Sequence, residues 1–144
     1  MENLNSTFLL FSESLERTGT IVEESSLDTR KAIICFQYVE RIKSELIIAT
    51  KLLEILEELK GDELAGAEKL MLSFLDALTG EVNIAHGVLK LRNFEKARTK
   101  ISEAKQLVHL HDYLEATSRL SGAISSITTS GNRAMQMLKQ RSLL

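Results

Sequence analysis

Apolar residues recur along this chain at alternating steps of four and three, the spacing of a helix that buries one face. Leu4, Phe8, Phe11, Leu15, Thr18 and Val22 make the first such row. Gly19 stands inside it, at a cost of about 1 kcal/mol against alanine. The second row is longer and unbroken: Ala32, Cys35, Val39, Ile42, Leu46, Ala49, Leu53 and Leu56. It predicts a helix from about residue 27 to Lys60, opened by Ser25-Ser26-Leu27-Asp28, where a serine hydroxyl accepts from a free amide. Lys60-Gly61-Asp62 is the clearest boundary. Gly61 is suited to the left-handed conformation that ends a helix, and Asp62 to capping the next. So short a link makes the second and third helices an antiparallel hairpin. The third row reads Ala67, Met71, Phe74, Leu78, Val82, Ala85 and Leu89, and ends near Arg92-Asn93, with Asn93 capping a fourth helix.

Two patterns compete in the last third. Asn93-Phe94-Glu95-Lys96-Ala97, followed by Ile101 and Ala104, is echoed nineteen residues later by Asp112-Tyr113-Leu114-Glu115-Ala116, followed by Leu120 and Ala123. A repeated unit would put a turn near His109–Asp112. Against it, Leu107, Leu110, Leu114, Thr117, Ser121, Ile124 and Thr128 run through that point without losing phase, and no Gly or Pro interrupts residues 105–121. The stripe predicts one helix from residue 94 to about 129, broken at Thr128-Thr129-Ser130-Gly131-Asn132, a cluster of poor helix formers. Inward positions between 116 and 134 are mostly small, including Ala116, Gly122, Ala123, Ser126, Ser130 and Ala134, which lets helix axes approach closely within the bundle.

Composition supports long helices. The 144 residues include no proline, where average usage near 5% would give about seven. Aromatic content is 5%, so the core must be aliphatic. These features predict a single all-α domain over residues 1–144: an up-down antiparallel four-helix bundle, with a short fifth helical segment allowed after Gly131. The lone cysteine, Cys35, cannot form an internal disulfide, and the Met-Glu-Asn start lacks the basic residues of a signal peptide, so a cytoplasmic location is expected. No uncharged apolar run is long enough for a bilayer, and no membrane partner is expected.

Charge is uneven beneath a formal net of −2. Residues 1–28 hold six acids against Arg17, whereas residues 116–144 hold Arg119, Arg133, Lys139 and Arg141 and no acid. Complementary charge predicts that the first and last helices lie side by side.

The chemistry-bearing residues exclude most site classes. Di-metal bundles need Glu-x-x-His on two helices, and no Glu here stands three residues before a His. His109 and His111, two apart, point about 200° away from each other on a helix. His111 with Glu115, or His109 with Asp112, is expected as a surface ion pair. Cys35 falls on a core row and is expected to be buried and inert. Leu46 and Phe74 are expected in the core of the central hairpin. No phosphate-binding glycine loop or nucleophile motif occurs, and neither cofactor nor metal is expected.

Two short stretches resemble known families. Asn93-Phe94-Glu95-Lys96-Ala97, with Ile101 and Ala104, resembles the second helix of a tetratricopeptide repeat, without that family's 34-residue period or its terminal proline. Phe94–His111 is similar to the central helix of the lactose/cellobiose-type phosphotransferase IIA subunits. That helix is followed by a phosphorylated histidine; here Leu110-His111 replaces the Ala-His and is shifted by one residue. The second resemblance covers an eighth of the chain.

The expected function is non-enzymatic: a small intracellular bundle acting by protein–protein interaction or assembly with an unidentified protein partner. One alternative is a histidine phosphocarrier, with His86 or His111 as acceptor. Another is weak nucleic-acid binding through Lys90, Arg92, Lys96, Arg98, Lys100 and Lys105. Those cations spread around a helix with no aromatic platform, so nucleic acid is not the expected partner. A second apolar row, Ile48, Leu52, Ile55 and Leu59, flanks the core row of the second helix, and Leu9 and Leu10 lie outside the row of the first. One stripe per helix suffices for a bundle. The surplus predicts a homodimer across these residues, unless the first helix covers them within one chain.

Overall fold

The computed structural model describes residues 28–144, which form four helices: α1 (Thr29–Leu56), α2 (Gly61–Leu89), α3 (Arg92–His109) and α4 (Tyr113–Gln140). The expected first helix over Leu4–Val22, with Leu9 and Leu10, lies outside the described residues. Each helix packs against its neighbours in the chain, and α1 also packs against α4, as in a helical bundle. The α1–α4 and α3–α4 contacts are more extensive than the two contacts of α2.

The core row of α1 is the one its spacing predicts, from Ala32 to Leu56. Its cap is Asp28 rather than a serine: the carboxylate accepts from the Lys31 amide at 2.8 Å, and its charge also favours the positive end of the helix. The helix stops at Leu56, short of Lys60, where Glu57 and Glu58 place like charge against its negative end. Gly61 takes the left-handed conformation with φ +61°. Asp62 serves α2 by its charge in the first turn; the cap position is Lys60. Likewise Leu91, not Asn93, occupies the cap position of α3, and Asn93 donates instead to the Ser130 hydroxyl at 3.0 Å.

The core row of α2 is Met71, Leu75, Leu78, Val82, Ala85 and Leu89. Leu75 holds the place expected of Phe74, which is only half-buried, as is Ala67. Both spacings are helical; the buried one is rotated by a single residue. Leu46 and Cys35 are fully buried as expected.

The single helix expected from residue 94 to 129 does not form. The chain turns at Leu110–Asp112, with His111 left-handed at φ +61° and Asp112 capping α4 through the Glu115 amide. The nineteen-residue echo explains why. Phe94, Ala97, Ile101, Ala104 and Val108 are buried on α3, and Tyr113, Ala116, Leu120, Ala123 and Ile127 are buried on α4. In one continuous helix those copies would face directions about 100° apart; a turn lets both face the same core. The rival stripe is not a seam, since Leu110 and Leu114 are 72% and 76% exposed.

The break expected at Thr128–Asn132 is also absent, and among the described residues no separate segment follows Gly131. Here α4 crosses α1 too closely for a side chain: a Cβ on Gly131 would lie 2.6 Å from Val39 Cγ1. Ser130 is buried beside it, its carbonyl accepting from Cys35 Sγ at 3.8 Å. Packing outweighs the weak helix propensity of these residues.

Candidate functional site

Beside its buried row, α1 carries a second row at the same alternating steps: Ile34, Tyr38, Arg41, Glu45, Ile48, Leu52 and Ile55. Facing it, α2 presents Ala67, Leu70, Phe74, Ala77, Glu81, Ile84 and Val88. Between the rows lies a groove with three hollows. At one end Ile34, Gln37, Tyr38, Arg41 and Val88 line a space of about 370 Å³. At the other, Leu52, Ile55, Ala67, Leu70 and Phe74 line one of about 310 Å³. A smaller hollow between them is bounded by Glu45, Ala77 and Glu81. The groove stays open because Ala67 and Ala77 are too short to fill it. The large side chains on its banks are therefore left in water, with Leu70 75% and Ile55 52% exposed.

The middle is a polar girdle. Arg41 Nε meets Glu81 at 2.8 Å, and the guanidinium also lies 5.5 Å from the centre of the Tyr38 ring, within cation–π range. Burial and the neighbouring Glu81 charge push the Glu45 carboxyl up from its ordinary value, while Arg41 opposes them. A chain lying in the groove would thus meet apolar ends and a charged centre carrying both signs.

Of the residues expected to mediate self-association, Ile48, Leu52 and Ile55 are exposed on this bank, and Leu59 is half-buried against the core. Leu70, Phe74, Ile84 and Val88 were not anticipated. Their signal is a second helical row on α2, offset by one residue from its core row.

The histidines lie elsewhere. His86 is half-buried, its Nδ1 3.2 Å from the Leu91 carbonyl at the α2–α3 turn. The His111 side chain is 65% exposed, with Nδ1 2.6 Å from Glu68 Oε2. The Tyr113 hydroxyl donates to that same carboxylate oxygen. Burial pushes Glu68 up, but hydrogen bonds from Tyr113 and His111 and the charges of His111 and His109 outweigh it, and its carboxyl lies below the ordinary value. Tyr113, desolvated and bonded to that carboxylate, is pushed up to about 12. The cluster ties the α3–α4 turn to α2. The expected local pairs do not form, because Glu115 pairs with Arg119 and Asp112 is occupied as a cap.

The cations considered for nucleic acid do not make a free basic face. Lys105 pairs with Asp76, Lys100 with Glu103, and Arg98 with Glu95 and Asn83. Burial pushes the Cys35 thiol up to about 12, far from the thiolate a nucleophile needs. Among the described residues, no three or more His, Cys, Asp or Glu converge as a metal site. No described helix is long and apolar enough to cross a membrane. Compared with protein-family models, curated proteins and solved structures, the chain matches none.

Proposed function

We propose that this is a non-enzymatic cytoplasmic protein that works by protein–protein contact, and that the α1–α2 groove is its contact surface. One observation carries the reading: two facing helical rows expose large apolar side chains at both ends of the groove, a combination that monomers seldom leave open to water. The bundle we infer is up-down. Its support is that four, two and three residues connect the described helices in turn, and that α1 and α4 pack together.

The partner is a second copy. The exposed row of α1 is symmetric about residue 43, which sets Arg41 against Glu45, Tyr38 against Ile48 and Ile34 against Leu52 when two copies of α1 pair antiparallel. These three pairings are apolar with apolar or cation with anion; Ile55, whose mirror position is Lys31, lies outside them. This is the self-complementarity a two-fold interface requires. A row from Ile34 to Leu52 makes a seam of about 27 Å.

Static light scattering over a concentration series tests the reading. The average mass should climb from monomer toward dimer with concentration. Leu52→Glu with Ile55→Glu should hold it at the monomer value with helicity unchanged. A rise that persists in the double variant removes the groove from self-association.

A further inference from the structure

The apolar ends of the groove do not by themselves choose how two copies meet. Parallel pairing of the α1 rows sets Ile34 on Ile34, Tyr38 on Tyr38 and Leu52 on Leu52; antiparallel pairing sets Ile34 on Leu52 and Tyr38 on Ile48. Both bury apolar surface on apolar surface. We propose that Arg41, held by Glu81 of its own chain, reaches the partner's Glu45, and that these charges rather than the apolar ends fix the direction of pairing and the partner the groove accepts. The proposal rests on the groove being the contact surface and adds its specificity.

Arg41 is placed to take a second carboxylate. Glu81 meets its Nε at 2.8 Å, and the Tyr38 ring lies against its guanidinium, so the group is positioned before a partner arrives. The side chain is still more than half exposed. Glu81 engages the Nε side, and the two Nη atoms of a guanidinium carry the remaining N–H donors in a rigid fork that suits a carboxylate. Glu45 is the complement. It is half-buried beside Ala77 and Glu81 in the middle hollow. Among the described residues no cation stands at ion-pair distance from it. Burial and the Glu81 charge push its carboxyl up, and Arg41 one turn away only opposes them. A guanidinium from the partner supplies the counter-charge that this hollow lacks.

Direction follows from sign. In the antiparallel register centred on residue 43, each Arg41 faces the partner's Glu45, at two equivalent contacts. The same register brings the partner's Ile48 and Leu52 to the hollow beside Ile34, and the partner's Ile34 and Tyr38 to the hollow beside Leu52. Parallel pairing presses Arg41 on Arg41 and Glu45 on Glu45, and like charges brought together suppress a wrong arrangement. An apolar helix with no cation at its centre is disfavoured too, because it buries Glu45 without a counter-charge.

Charge exchange on the full chain tests the proposal. In a pair of Arg41→Glu chains both contacts set acid on acid, and in a pair of Glu45→Arg chains both set cation on cation. Mixing the two variants makes both contacts opposite in sign again. Each variant alone should self-associate at least about tenfold more weakly than the parent, with helicity by circular dichroism unchanged, and an equimolar mixture should regain most of the loss. A mixture no tighter than the separate variants, or either variant pairing like the parent, overturns the proposal. Direction is read by a short bismaleimide on mixed Ile34→Cys and Leu52→Cys chains, Cys35 being buried. Links between the two variants are expected. Their absence, or links joining Leu52→Cys to its own kind, about 27 Å apart in the antiparallel register, overturns the proposal. If the parent's mass does not rise with concentration, the contact reading falls and this proposal with it. If Leu52→Glu with Ile55→Glu abolishes a rise that the mixed charge variants fail to restore, this proposal alone falls.

Discussion

Gly131 shows how one missing side chain sets a helix crossing. A Cβ there would press on Val39 Cγ1 at 2.6 Å and on Val39 Cβ at 3.3 Å, neither of which is a flexible far end. Gly131→Ala should therefore cost about 1–3 kcal/mol by overpacking, although alanine is the better helix former. Adding Val39→Ala should recover part of the loss, measured by denaturant unfolding in a double-mutant cycle. Cys35 is in the same contact, fully buried against Ser130. A thiol reagent should label it only on unfolding; rapid labelling of the native chain would contradict the packing of α1 on α4. Tyr113 gives a pH signature. Its phenol loses its proton only near 12 in the fold, against about 10 in the unfolded chain. The folded state thus holds this proton more tightly, and the bond's contribution is lost as pH rises from 10 toward 12. At the acid end Glu68 has the opposite sign: its lowered carboxyl contributes above its unfolded value and is lost as pH falls through the folded one. Tyr113→Phe should abolish the late phase of the ultraviolet phenolate titration and flatten the alkaline arm of stability.

At the scale of elements, the rows on α1 and α2 predict different costs. Leu46 is fully buried, so Leu46→Ala should cost about 2–5 kcal/mol. Phe74 lies half-open in the groove, and Phe74→Ala should cost clearly less, because part of its surface already meets water. Chemical denaturation of the two variants checks the order. The α1 core row and the Gly61 turn could be read directly from spacing and from glycine's tolerance of positive φ. The Phe74 error arose because two adjacent rows on α2 are both apolar and both helical in step, and spacing alone cannot rank them. The turn at Leu110–Asp112 needed no glycine or proline, since His111 takes the left-handed conformation and Asp112 caps. Its sequence signal was the nineteen-residue echo. The unbroken stretch over Thr128–Asn132 is a tertiary effect: close packing on Val39 overrides local propensity. Half of the groove was legible as a surplus apolar row on α1. The α2 bank and the Glu68–Tyr113 tether depend on how helices distant in sequence are brought together.

At the scale of the molecule, the basic balance of residues 116–144 is partly neutralised within the fold. Arg119 pairs with Glu115 and Glu103, whereas Arg141 donates to the neutral Thr29 hydroxyl and keeps its charge. The exposed apolar surface is the larger imbalance, and apart from Ile33, Ile47, Leu143 and Leu144 it gathers in two places among the described residues. One is the α1–α2 groove. The other is the α3–α4 turn, where Leu110 and Leu114 are more exposed than Leu52 or Ile55. If hydrophobicity alone drove association, both places would serve equally. The groove differs in having two facing rows and a charge pattern that complements itself. The most direct test therefore compares matched substitutions by light scattering over the same concentration range: Leu52→Glu with Ile55→Glu, and Leu110→Glu with Leu114→Glu. The account predicts a mass held at monomer for the first pair and a concentration-dependent rise like the parent's for the second. A rise abolished by the second pair and kept by the first would contradict it.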